Sequence, residues 1–156
     1  MTMEKKFMMR AIELAKNSID NHGGPFGAVI VKDGEIIAET SNSVTKDNDP
    51  TAHAEVNCIR QACKKLNTFM LDGCEIYASS EPCPMCFGAI YWAHIDKIYY
   101  AGTREDAAYG GFDDDFIYKE IAIPNEQRRT PSINILQPEG RSVFDKWNAK
   151  CDKIEY

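Results

Sequence analysis

Two short stretches of the chain hold residue types that bind and work a metal ion. His53 and Glu55 lie in TAHAEV, residues 51–56, and Cys83 and Cys86 lie in EPCPMC, residues 81–86. Cysteines three apart at a helix start face the same side and can grip one ion. Pro82 and Pro84 suit such a start, because the first helical turn has no use for the N–H that proline lacks. The positive end of the helix dipole lowers thiol pKa values and so favours the thiolates that bind metal. Alone, Cys-x-x-Cys also serves thiol–disulfide exchange and structural zinc knuckles. A lone histidine at a helix start is ordinarily a cap or a core residue.

Together, His53, Cys83 and Cys86 supply three zinc ligands and leave the fourth position open, which is the layout of a catalytic zinc. A closed structural site, the reading of the chain as a non-catalytic zinc scaffold, would recruit Cys58, Cys63 or Cys74, whose positions read as small core residues. Residues two apart on a regular helix point to different sides. The first residues of a helix are not yet held in its regular turn, so His53 and Glu55 can converge on one point. Zinc brings the pKa of a bound water toward about 7, so Glu55 can take a proton there and return it to a departing amine.

The elements that must position these residues follow from periodicity. The first twenty residues carry apolar side chains at 8, 11, 12, 15 and 19, a helical stripe that stops at NHGG. FGAVIV and EIIAET read as strands around the turn KDG. A polar loop, SNSVTKDNDP, leads to a helix over TAHAEVNCIRQACKKLN, with apolar positions 52, 56, 59, 63 and 66. CEIYASS is a strand, EPCPMCFGAIYWAHI a helix and KIYYAG a strand. Two adjacent strand–helix–strand steps imply a partly parallel sheet covered by helices, with ligands at one end of the strands. Further on, a helix is expected near DDFIYKEI, an edge strand at SINILQ, and a last amphipathic helix over RSVFDKWNAKCDKIEY.

Composition narrows the partners. The length of 156 residues suits one domain, read here as residues 1–156. Eighteen basic against twenty-four acidic residues give a net charge of −6, which disfavours affinity built on neutralising phosphates or an anionic membrane surface. A small neutral substrate fits better. The first helix lacks the unbroken apolar stretch of a signal peptide, and no run is long enough to span a membrane. The six cysteines therefore read as thiols in a reducing cytoplasm. No repeat or low-complexity tract interrupts the chain.

The pairing of H53-A54-E55 with P82-C83-P84-M85-C86 resembles the zinc-dependent nucleoside and nucleobase deaminases. G24-P25-F26-G27-A28, Asn42, DPTAHAEV, GAIYWA and GFDDDFIYKEI extend the likeness over nearly the whole chain, to the bacterial guanine deaminases among them. The resemblance implies an α/β/α sandwich of cytidine deaminase-like fold with a mixed five-stranded sheet. It also implies hydrolysis of guanine to xanthine and ammonia.

Carried over residue by residue, it implies that His53, Cys83 and Cys86 hold one Zn2+ per subunit and that Glu55 moves protons to the ring nitrogen and the leaving amine. Asn42 meets the purine edge, Phe26 stacks on one face, the Ala54 N–H meets the carbonyl, and Trp92 also lines the substrate site. Asp114, one of three consecutive aspartates, matches an acidic position near the substrate amine. Read as bare residues, Asn42 is a turn residue, Phe26 a core aromatic and the aspartates a solvated face. Phe87 and His94 depart from the family pattern, with Phe87 expected to fill the core. The resemblance further implies a homodimer that exchanges the C-terminal segment, about 138–156, so that Tyr156 closes the partner's pocket. The tRNA adenosine deaminases and cytosine deaminases share the zinc motifs and stand as alternatives, the former requiring a polyanionic partner.

Overall fold

The computed structural model describes residues 1–156, which form two compact units, Met1–Asp114 and Asp115–Tyr156. The first unit opens with helix α1 (Met3–Asp20), capped by Thr2, whose side chain accepts from the Lys5 N–H. Strands β1 (Gly27–Lys32) and β2 (Glu35–Ser41) follow. Asp33 and Gly34 form the turn between them, with φ of 51° and 79°. Two left-handed residues in a two-residue loop match the twist of the flanking strands. Helices α2 (Val44–Asp47) and α3 (Ala54–Leu66), strand β3 (Cys74–Ser80), helix α4 (Pro84–Trp92), strand β4 (Lys97–Gly102) and helix α5 (Arg104–Tyr109) complete this unit.

The sheet has the order β2-β1-β3-β4. Strand β1 is antiparallel to both β2 and β3, while β3 and β4 are parallel. Strands β2, β3 and β4 therefore run in one direction, and the connection through α3 reaches over β1. Along β1, Ala28 and Ile30 join a core with Ala54, Cys58, Ala62 and Ile90, and Val29 and Val31 join another with Phe7, Ala11 and Tyr77. This alternation, with its period of two, puts α1 on one face of the sheet and α3 and α4 on the other. The arrangement is the expected three-layer α/β/α sandwich. A Cβ on Gly27 would stand 2.3 Å from the Ala11 carbonyl oxygen, so the close seat of α1 requires glycine there.

Burial differs from the expected stripes in detail. On α1 the buried residues are Phe7, Ala11, Ala15 and Ser18, a stripe rotated from 8, 12 and 19. On α3 they are Ala54, Glu55, Cys58 and Ala62, with the bulkier Ile59, Cys63 and Leu66 at the margin of the core. Small side chains at i, i+4 and i+8 let α3 lie close to the sheet, and this overrides the pattern of the larger ones.

The sheet has four strands and not five. SINILQ forms no strand: Ile133 and Ile135 are 80% and 76% exposed, and Leu136 turns left-handed at φ 55°. Extended backbone needs a neighbouring ladder for its N–H and C=O groups, and a left-handed residue ends the extended course.

The second unit holds α6 (Asp115–Ala122), a 3₁₀ turn (Asn125–Gln127) and α7 (Gln137–Ala149). Helix α7 starts before the expected residue 141, with a proline in its first turn, and stops where Lys150 becomes extended. The Arg128 Nε donates to the Glu120 carbonyl at 2.9 Å and the Arg129 N–H to Glu120 Oε2 at 2.8 Å, folding the following chain back onto α6. Neither α6 nor α7 contains a buried residue. No helix of the protein is long and apolar enough to cross a membrane.

Candidate active site

The predicted chemistry collects at one end of the sheet. Gly27 pairs with Ser41 and Ser80 with Gly102, so the entry to β1 and the exits from β2, β3 and β4 share that end. Phe26 precedes β1, Asn42 follows β2, and Cys83 follows β3 by a short link.

His53 is the N-cap of α3, with extended φ −68° and ψ 155°, and its side chain makes no capping bond. Cys83 is the N-cap of α4 in nearly the same conformation, φ −66° and ψ 168°. Each carbonyl accepts the first bond of its helix, from Asn57 and from Phe87, but neither side chain makes a capping bond, which frees both to converge. His53 Nδ1 lies 3.5 Å from Cys83 Sγ and 3.4 Å from Cys86 Sγ. Tetrahedral zinc with bonds of about 2.0–2.1 Å to nitrogen and 2.3 Å to sulfur requires N···S separations near 3.5 Å, so the donor set fits that ion. All three ligand atoms lie within 4.8 Å of one another.

The other cysteines are occupied elsewhere. The buried Cys58 thiol lies 3.5 Å and 3.4 Å from the carbonyls of Ala28 and Ala38, and burial pushes its pKa up to about 12. Cys63 and Cys74 belong to the apolar core, and Cys151 is exposed in the second unit. The protein thus offers three ligands, the number of a catalytic zinc site.

The thiol pair is strongly polarised. A hydrogen bond from Cys86, with a further one from His53, holds Cys83 down at about pKa 4. Cys86 is pushed up by that same bond to the Cys83 thiolate, and then by burial and by the Glu55 carboxylate. His53 is raised chiefly by its bond to Cys83. Glu55 is only 6% exposed, and its Oε2 accepts from the Cys86 thiol at 3.4 Å. Desolvation raises its pKa, the Cys83 charge adds to the rise, and its own backbone N–H opposes it. A buried carboxyl beside the ligand triad is placed to take and return protons.

Phe26 packs against the core and meets Phe112 edge-on, with ring centroids 4.9 Å apart. The Asn42 N–H donates to the Phe26 carbonyl at 3.0 Å, and its Oδ1 accepts from the Val44 N–H at 3.1 Å. Ala54 is fully buried at the first position of α3, where a backbone N–H has no partner within the helix. The Thr40 hydroxyl donates to its carbonyl at 2.7 Å. Asp114 lies 3.7 Å from Arg104 Nε, and its side chain is 16% exposed. Desolvation raises its pKa, with the Cys83 charge a smaller contribution, against the pull of Arg104. Phe112 and Arg104 are additions that the sequence reading missed, the only signal for Phe112 being an aromatic in an otherwise polar GGFDDD run.

Trp92 is the last residue of α4, about 12 Å of helical rise from Pro84, and 68% exposed, so this chain does not bring it to the ligand cluster. Tyr156 belongs to the second unit and is 74% exposed. Phe87 does not fill the core: it is half exposed and packs on Tyr91 with centroids 4.7 Å apart. His94 terminates α4 in a left-handed conformation, φ 57°. Its N–H bonds the Tyr91 carbonyl and the Ile95 N–H the Ile90 carbonyl, the bonds of a helix C-terminal stop.

Residues 1–102 match the family of the cytidine and deoxycytidylate deaminase zinc-binding region, and the chain belongs to that family. It is 54% identical to a guanine deaminase of Bacillus subtilis over 96% of this chain and 97% of the relative. A solved structure of a Bacillus subtilis guanine deaminase superposes with a TM-score of 0.95, at 54% identity, covering 97% of this chain and 98% of that one. A tRNA-specific adenosine deaminase of Aquifex aeolicus is 43% identical over 70% of this chain and 72% of its own.

Proposed function

We propose that this chain catalyses the zinc-dependent hydrolytic deamination of guanine to xanthine and ammonia. The observation that carries the reading is the likeness to a guanine deaminase along nearly the full chain, joined to a ligand triad of zinc-binding dimensions with Glu55 beside it. His53, Cys83 and Cys86 hold the ion. Zinc, when bound, supplies a Lewis acid that lowers the pKa of water. Glu55 takes the proton of the attacking water, delivers it to the purine ring nitrogen, and serves the departing amine in the second half of the reaction. Asn42 hydrogen-bonds the purine edge and the Ala54 N–H the carbonyl. Phe26 stacks on the ring, and Asp114 meets the amine. The protein acts in the cytoplasm.

A pocket that hydrogen-bonds the guanine edge rejects adenine, which lacks the carbonyl and leaves buried donors unpaired. A panel of guanine, adenine, cytosine and an RNA stem-loop tests the substrate. Guanine is expected to release ammonia fastest, with xanthine followed by its ultraviolet absorbance. Faster release from cytosine or the RNA would replace the guanine reading with one of the alternatives.

Both units act as one domain in a homodimer that exchanges the C-terminal segment, about 138–156, with Tyr156 closing the partner's site and Trp92 lining it. Support comes from apolar residues exposed in the single chain: Ile133, Val143, Phe144, Ile154 and Tyr156 on the second unit and Trp92 on α4. Exchange of an identical element is a low-cost route to a two-fold dimer, and a closing tail would exclude water. Deleting residues 153–156 should leave zinc bound and guanine turnover greatly reduced. Mixing that protein with the Glu55→Gln variant should restore activity, because the deleted chain's zinc centre then meets an intact tail. A monomeric wild type by sedimentation, with no recovery after mixing, would return Tyr156 to a frayed terminus.

A further inference from the structure

One side-chain amide on α3 reaches both loops that carry the proposed recognition and metal residues. Asn57 Nδ2 donates to the Ser41 carbonyl at 3.1 Å, to the Ser43 hydroxyl oxygen at 2.9 Å and to the Ala52 carbonyl at 3.3 Å. Ser41 and Ser43 flank Asn42, and Ala52 immediately precedes His53. Backbone bonds run along the same line. The Ser43 N–H donates to the Ala52 carbonyl at 3.0 Å, and the Asn57 N–H to the His53 carbonyl at 2.9 Å. Asn42 lies just past the end of β2, where one last ladder-like bond, from its N–H to the Phe26 carbonyl at 3.0 Å, holds its backbone, and the helix after it, α2, has a single turn. Its distance from the ligand cluster is therefore set by backbone bonds, by the Thr40 hydroxyl on the Ala54 carbonyl, and by the Asn57 amide, which bonds on both sides of Asn42.

We infer that Asn57 is a positioning residue for base recognition: it holds Asn42 at a fixed distance from His53, so that the base edge being read and the carbon being attacked fall in place together. The inference rests on the reading of Asn42 and His53 given under the proposed function. Displacement of a substrate-orienting group by about 1 Å is enough to cost orders of magnitude in rate, so a clamp outside the chemistry has a kinetic signature.

The test compares Asn57→Ala, Asn42→Ala, their double variant and Ser43→Ala, each in the full chain with zinc content, thermal unfolding, KM and kcat for guanine, and the guanine-to-adenine ratio of kcat/KM. Asn57→Ala should stay folded with one zinc per chain and raise KM about tenfold, the equivalent of one net hydrogen bond, with the preference for guanine narrowed. Ser43→Ala, which removes one of the amide's acceptors without touching α3, should shift KM in the same direction by less. If Asn57 acts through Asn42, the double variant should match Asn42→Ala alone, whereas independent effects would multiply. A raised KM in Asn42→Ala with wild-type KM and base preference in Asn57→Ala and Ser43→Ala would overturn the inference while leaving the site reading intact. Unchanged recognition in Asn42→Ala itself would overturn that reading, and the inference with it.

Discussion

Replacing Glu55 by glutamine is expected to reduce guanine turnover by roughly a hundredfold to ten-thousandfold, the range over which a positioned proton-transfer group contributes. Gln is nearly isosteric and keeps an oxygen toward Cys86, so zinc content and folding should stay near wild type. Loss of turnover with retained metal is the combination that separates a proton carrier from a ligand. It also excludes the zinc scaffold, since a structural site has no use for the Glu55 proton. The burial of this carboxyl against Cys86 supports the role, because it fixes a proton acceptor beside the ligand triad. Turnover unchanged from the wild type would remove Glu55 from the mechanism.

Replacing Cys83 or Cys86 by alanine is expected to have the opposite pattern, with the metal itself lost. Each removes one of only three protein ligands, and zinc affinity is linked to folding because the unfolded chain lacks the assembled triad. Zinc per chain, measured by elemental analysis, should fall from one to near zero, and guanine turnover with it. A ligand present at a thousand times its Kd stabilises the folded state by about 4 kcal/mol. At roughly 2–4 °C per kcal/mol for a chain of this size, its loss lowers Tm by on the order of 10 °C. Full zinc occupancy in both variants would refute the ligand assignment.

The parts of the fold that could be read from the sequence are those where local chemistry and tertiary structure agree. β3 and β4 fall on CEIYASS and KIYYAG, and the Asp33–Gly34 turn lies where KDG puts it. The convergence of His53 with Glu55 and the cysteines followed from their place at helix starts, and both His53 and Cys83 are N-caps with extended backbone. Legibility failed where packing partners decide. The alternation of Ile133 and Ile135 suggests a strand, but no neighbouring ladder receives it. The buried stripe of α3 runs through small residues, which periodicity counted on Val and Ile overlooks. Asn57 and Thr40 were invisible for a different reason: each acts on backbone carbonyls, whose positions only the folded chain defines. The three aspartates, alike in sequence, differ in burial: Asp114 is less exposed than Asp115, and Asp113 lies at the surface.

The most direct test of the central claim is xanthine formation from guanine by the same preparation in zinc-loaded, zinc-stripped and zinc-restored states, with refolding checked at each stage. Turnover should vanish on stripping and return as zinc reaches one per chain. Undiminished xanthine formation by the metal-free protein, or none from the fully loaded one, would contradict the account.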